Sequence, residues 1–123
     1  MNFDNKNKKT GVNRIVSAFF NTCKGLLWMT KNEAAFKQEL ILLILLSATA
    51  FWLDVTAIER VILLSTLLLV LLTETINTAI EATVDRISLE MHELSGLAKD
   101  LGSAAVFISF CIAIVAWGVI LWG

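Results

Sequence analysis

The sequence predicts an all-α membrane protein: an N-terminal amphipathic surface helix followed by three transmembrane helices. Three observations carry that expectation. The chain has 123 residues, is 57% hydrophobic, has a mean hydropathy of +0.75 and contains no proline, whereas soluble domains seldom exceed half apolar. Its apolar residues gather into long runs around positions 40–53, 61–72 and 101–123. Of the ten Lys and Arg residues, seven (Lys6, Lys8, Lys9, Arg14, Lys24, Lys31, Lys37) precede the first of those runs. By the positive-inside rule, that bias places the N-terminus in the cytoplasm, and three crossings then place the C-terminus on the outer side. A chain this short is expected to form a single membrane domain over 1–123.

Residues 1–10 (MNFDNKNKKT) read as a polar, disordered tail, with no cleavable signal peptide. From Val12 the apolar positions Val12, Ile15, Val16, Phe19, Phe20, Cys23, Leu26 and Leu27 recur at i, i+3, i+4, i+7. Asn13, Arg14, Ser17, Asn21 and Lys24 fill the opposite face, so residues 11–29 suit a helix lying on the membrane surface, with Trp28 as an interfacial anchor. Thr30 and Glu33 have the spacing of a capping box that would start the next helix. The uncharged stretch 40–53 is too short to span alone, since about 20 residues are needed. The first span is therefore expected over 32–53, carrying Glu33, Lys37, Gln38 and Glu39 through the interface.

Thr56 and Glu59 form a second box after a turn short enough to impose an antiparallel hairpin, and Glu59 and Arg60 read as a solvated outer turn. A helix over 57–86 is about 45 Å long and exceeds the bilayer core, so its last turns reach the cytoplasmic side. A polar loop over 87–98 contains Glu90, His92, Glu93 and Gly96. The third span is expected over 99–122, with Lys99 and Asp100 at its start and Trp117 and Trp122 near the outer interface. Cys23 and Cys111 read as unpaired small hydrophobes, because a disulfide is disfavoured on the cytoplasmic side.

The chemistry should lie on the second span. Glu74 and Glu81 are two turns apart, roughly 10 Å, on one helix face, joined there by Asn77, Thr78 and Asp85. A charge at membrane depth costs about 2.5–3.5 kcal/mol or more and marks function, with its side chain facing protein or water. The competing reading is helix–helix glue, which Asn77 and Thr78 alone would satisfy. His92 alone reads more simply as a solvated residue than as a metal ligand. No phosphate-binding glycine loop, zinc pattern or serine nucleophile elbow occurs, and no nucleic-acid partner is expected. Interfacial carboxylates can hold Mg²⁺ against substrate phosphates, and a further carboxylate can orient or deprotonate an alcohol for attack on a phosphoryl group.

Three blocks then become informative: NEAAFKQE at 32–39, ETINTAIEATVDR at 74–86 and HELSGLAKDLGSAA at 92–105. They resemble the bacterial integral-membrane diacylglycerol kinase family, with a match from about residue 11 to residue 122. The E-x-x-N-(S/T)-A-I-E-x-x-x-D block is highly specific, and N-E-A-A-F-(R/K)-Q-E favours the Gram-negative diacylglycerol branch over the undecaprenol kinase branch. The resemblance implies a homotrimer of the inner membrane with active sites shared between subunits. It implies transfer of the γ-phosphate of MgATP to the sn-3 hydroxyl of diacylglycerol, giving phosphatidate. It further implies Glu74 as general base with Asn77 beside it, and Glu33 and Glu81 as Mg²⁺ ligands that also contact ATP. Glu90, His92, Lys99 and Asp100 match nucleotide contacts, and Arg14, Gln38 and Ser103 match lipid- or substrate-positioning residues.

Two departures stand out. Asn21-Thr22-Cys23-Lys24-Gly25-Leu26 replaces an expected aromatic residue before a Trp-Lys-Gly-Leu block, and Leu97 replaces an expected basic residue. Two other classes compete with a kinase. A proton- or cation-coupled transporter needs a polar path, yet residues 61–72 offer only Ser65 and Thr66. A structural oligomer has no need of Glu33, Glu81 and Asp85 at one level.

Overall fold

The computed structural model describes residues 10–123, and their regular structure is entirely helical. The elements are α1 (Val12–Asn32), α2 (Ala34–Trp52), α3 (Ala57–Ile87) and α4 (Glu93–Trp122). Apart from Thr10, the tail expected at 1–10 lies outside the described residues. α2, α3 and α4 are each long and apolar enough to cross a membrane. In such helices every internal backbone group is satisfied within the segment, which lipid demands. Their hydroxyls are satisfied the same way: Ser47 donates to the Leu43 carbonyl at 2.8 Å, and Thr49 to that of Leu45 at 2.9 Å. The chain divides into two compact units, one ending at Lys37 and the other running from Gln38 to Gly123.

In the first unit, Gly11 opens α1 with φ 61° and ψ −134°, in the left-handed half of conformational space that glycine enters without a Cβ penalty. Its carbonyl accepts from the backbone N–H groups of Arg14 (3.2 Å) and Ile15 (3.3 Å). Val12, Ile15, Phe19 and Phe20 are all exposed, and the two phenyl rings meet edge to face at 6.3 Å. α1 runs to Asn32, beyond the end expected at 29, because the Thr30 capping box does not form. The Thr30 hydroxyl instead donates back to the Leu26 carbonyl at 2.8 Å, as a mid-helix threonine does. The break falls at Glu33, which is extended (φ −112°, ψ 99°) while its N–H still reaches the Met29 carbonyl at 2.8 Å.

The second unit is organised by α3. Its N-terminus carries the capping box expected at Thr56: the Glu59 N–H donates to Thr56 Oγ1 at 3.2 Å, and the Thr56 N–H to Glu59 Oε1 at 3.0 Å. Arg60 is not a solvated turn residue. It is half-buried, and its Nε and Nη2 donate to the Ala50 (3.0 Å) and Leu53 (2.9 Å) carbonyls, closing the C-terminal end of α2. At 31 residues α3 is about 46 Å long. It packs antiparallel against α4, burying Leu63, Leu67 and Val70 together with Thr66 and Ser109.

Two side-chain hydrogen bonds cross this seam. The Trp117 indole N–H donates to Thr66 Oγ1 at 3.0 Å, and the Thr73 and Ser109 hydroxyls lie 2.9 Å apart. Trp117 is thus half-buried against α3 rather than only an interfacial anchor. α4 also begins earlier than the expected 99. His92 caps it, its Nδ1 accepting from the Leu94 N–H at 3.1 Å, so the loop expected over 87–98 shrinks to 88–92. Cys23 and Cys111 are both free thiols.

Candidate active site

Four polar residues of α3 recur at i, i+3, i+4 and i+7: Glu74, Asn77, Thr78 and Glu81. All four are half-buried, while Ile76 and Ala79 between them are exposed. This is the single face that the sequence spacing demands. Asn77 Nδ2 donates to Glu81 Oε1 at 3.2 Å, one turn on. The other amide atom, Asn77 Oδ1, is buried and has no hydrogen-bond partner. It sits against Gly102 of α4, a buried glycine opposite the stripe.

One step further along the seam, Lys99 Nζ lies 2.8 Å from Asp85 Oδ1, joining α4 to α3 through two side chains that are each nearly half exposed. An exposed pair of this kind is worth little and is readily exchanged for another anion. Asp85 therefore points at a cation of α4 rather than completing a carboxylate set with Glu74 and Glu81.

The connection between α3 and α4 shapes two shallow grooves of about 450 and 480 Å³. Glu90 and His92 line the first, with Val84 and Ser95 beside them. His92, Leu97 and Asp100 line the second. Met91 and His92 are the shared wall, with His92 held there by its capping bond. Glu90 and Asp100 thus line neighbouring grooves that share His92. Ser103 is exposed on α4 and Gln38 on α2. In the first unit, Arg14 is exposed in the opening turn of α1, and Glu33 is half-buried at the helix break.

Carboxylate oxygens are the ligand type that a nucleotide-borne magnesium ion takes. Glu33 in the first unit and Glu81 in the second each carry such oxygens, and no group of three or more His, Cys, Asp or Glu side chains gathers among the described residues. Mg²⁺ is characteristically held by one or two carboxylates plus substrate phosphates rather than by a closed protein cage. Gly102 lies in the 92–105 block, where the sequence assigns it no role. The available signal was an isolated glycine inside a helical pattern, which usually has a packing reason.

Comparison with known proteins decides the family. A model of prokaryotic diacylglycerol kinase matches residues 20–121. The diacylglycerol kinase of Escherichia coli strain K12 is 51% identical over 116 residues, covering 94% of this chain and 95% of that protein. The Pseudomonas aeruginosa enzyme is 46% identical over 115 residues (94% of each chain), and that of Helicobacter pylori strain 26695 is 33% identical over 111 residues (90% and 87%). The chain belongs to the prokaryotic diacylglycerol kinase family. It is accordingly an enzyme and a lipid kinase, as the blocks at 32–39, 74–86 and 92–105 led one to expect. The family match spans α2, α3 and α4 and most of α1, so it covers every element that carries a candidate site residue except Arg14, which precedes residue 20.

Proposed function

We propose that this protein phosphorylates 1,2-diacyl-sn-glycerol to phosphatidate with MgATP, at the cytoplasmic face of the bacterial inner membrane. Glu74 serves as general base and Asn77 stands beside it in the reacting centre. The Glu74 carboxylate accepts the proton of the sn-3 hydroxyl as that oxygen bonds to the γ-phosphorus. The bond from the γ-phosphorus to the bridging oxygen breaks, and ADP leaves. Glu33 and Glu81 hold Mg²⁺, which when bound offsets the negative charge of the ATP phosphates. Glu90, His92, Lys99 and Asp100 contact the nucleotide. Arg14, Gln38 and Ser103 position the lipid.

The observation that carries this reading is the half-buried stripe Glu74–Asn77–Glu81, with Lys99 arriving from α4 on the same seam. Phosphoryl transfer needs little covalent chemistry, only positioning and charge compensation. A base, an amide, a metal-binding carboxylate and a cation within a few helical turns meet that need. The exposed apolar residues of α1 support its docking on the bilayer surface, where a lipid alcohol resides. The working assembly is a homotrimer with shared sites, so Glu33 and Glu81 of one centre need not belong to one chain. The N-terminus lies in the cytoplasm and the C-terminus in the periplasm.

The test is incubation of the purified protein with MgATP and a panel of diacylglycerol, undecaprenol and ceramide. Phosphatidate should be the main product. Preferential phosphorylation of undecaprenol would overturn the substrate assignment, and no MgATP-dependent product from any lipid would overturn the reaction.

A further inference from the structure

We infer that Gly102 is a positioning residue for the phosphoryl-transfer centre, acting through the Asn77 side chain. The inference rests on the proposed roles of Asn77 and Glu81. A Cβ atom built on Gly102 would overlap Asn77 Oδ1, and would stand 3.2 Å from Asn77 Cγ and 3.6 Å from Ile80 Cδ1. The missing side chain of Gly102 is therefore the space the Asn77 carboxamide occupies. That carboxamide is not held by a hydrogen bond on this side, because Oδ1 has no partner. What holds it is shape: α4 backbone on one edge, and the Nδ2 donation to Glu81 Oε1 at 3.2 Å on the other.

Burying an amide oxygen without a partner is costly, about 1–3 kcal/mol, so a free Asn77 would turn elsewhere if another rotamer served it better. The packing against Gly102 keeps Nδ2 aimed at Glu81, and so keeps one oxygen of that carboxylate engaged. A glycine in the interior of an exposed helix costs roughly 1 kcal/mol relative to alanine, and this one is buried where α3 and α4 touch. A Cβ at this position forces the Asn77 carboxamide to shift, and that shift disturbs its bond to Glu81 and loosens the hold on the carboxylate. Gly102 thereby acts on the metal- and ATP-binding carboxylate without touching either ligand. The other glycines of α4's interior, Gly96 and Gly118, have open space where a Cβ would go, so this constraint belongs to Gly102 alone among them.

The experiment is a double-mutant cycle on the full-length protein in lipid–detergent micelles, with Gly102→Ala, Asn77→Ala and the pair. Outer-shell changes of this kind typically cost about 10- to 100-fold in metal affinity or activity. Gly102→Ala should therefore raise the apparent Mg²⁺ and ATP requirements about tenfold or more, with the KM for diacylglycerol little changed. In the Asn77→Ala background, where Oδ1 and Cγ are gone, adding Gly102→Ala should cause no further loss. A further loss equal to that in the wild-type background would overturn the inference while leaving the proposed function standing. Asn77→Ala with wild-type kinetics would overturn both. Should Gly102→Ala alone fail to fold, recovery of folding in the double variant would support the steric account, and failure of both would overturn it. Gly118→Ala serves as the control and should leave the Mg²⁺ dependence unchanged.

Discussion

Between Leu63 and Thr73 the seam between α3 and α4 is closed: Leu63, Leu67 and Val70 are buried, and the Thr66, Ser109 and Trp117 polar atoms all have partners. Between Glu74 and Asp85 the same two helices meet differently. Glu74, Asn77, Thr78 and Glu81 are half-buried, Val84 alone is a buried hydrophobe, the Lys99–Asp85 pair is exposed, and Asn77 Oδ1 is buried with no partner. Helix association in lipid relies on close packing and interhelical hydrogen bonds, because hydrocarbon gives little apolar driving force. The first stretch is built to that standard. The second departs from it: the Asn77 amide oxygen is buried against Gly102 without a hydrogen-bond partner, and the Glu81 carboxylate accepts from Asn77 along the same helix rather than across the seam. One interface thus serves as the clamp that lets its other half stay unfinished, and substitutions in the two halves should have separable consequences.

The largest effect should come from Glu74→Gln. Glutamine keeps the size and hydrogen bonding but cannot accept the substrate proton. It should lower kcat by about two to four orders of magnitude, with ATP affinity and oligomer assembly nearly intact. Steady-state kinetics alongside nucleotide binding would check this. Near wild-type turnover of diacylglycerol would return Glu74 to a packing role and erase the contrast between the two halves.

Glu81→Gln comes next. Its carboxylate accepts from Asn77 Nδ2 and is proposed to hold Mg²⁺. The substitution should raise the Mg²⁺ and ATP concentrations needed for half-maximal rate by about 10- to 100-fold. A magnesium titration at fixed lipid is the measurement, and an unchanged Mg²⁺ dependence in a folded variant would remove Glu81 from the metal site.

How much of this division was legible before the structure depends on what kind of information each element needs. The three spans follow from apolar runs, and the Thr56 cap from four adjacent residues; both signals are local. The Thr30 box shared the same spacing, but the chain was already helical there and its hydroxyl found the Leu26 carbonyl instead. α4 starts earlier than the sequence predicts because His92 is an uncommon N-cap, and its capping nitrogen acts here in place of the usual Ser, Thr, Asp or Asn oxygen. The stripe on α3 was visible because helical periodicity alone puts Glu74, Asn77 and Glu81 on one face. Gly102 against Asn77, Thr73 against Ser109 and Arg60 against Ala50 were not, since each depends on how one helix is aligned along another. Helical periodicity fixes faces, whereas the alignment of two helices is set by packing.

The closed half should respond in the opposite sense to the open one. Thr66→Val keeps the shape but removes the acceptor of the Trp117 indole N–H. Interhelical hydrogen bonds in membrane proteins average about 0.6 kcal/mol and reach about 1.7 kcal/mol. Thermal or denaturant unfolding in micelles should show a loss of that size, while kcat and the Mg²⁺ dependence stay within about twofold. A selective fall in Mg²⁺ affinity would mean that the two halves are coupled and that the clamp also tunes the site.

Asp85→Asn should give the smallest effect, and it locates the boundary of the open half. Asp85 lies within the family-like block and on the same α3 stripe as the glutamates, so sequence position alone would group it with them. Its geometry separates it: the carboxylate is nearly half exposed, and its partner is Lys99 of α4 rather than Asn77 or Glu81. Exposed ion pairs contribute little to stability and are screened by salt. Asparagine should therefore leave the melting temperature unchanged within error. It should also free Lys99, which is proposed to meet the ATP phosphates, so the KM for MgATP should stay level or fall slightly at low ionic strength, with the difference vanishing as salt is added. An order-of-magnitude fall in kcat, insensitive to salt, would place Asp85 among the reacting groups and extend the open half by another helical turn.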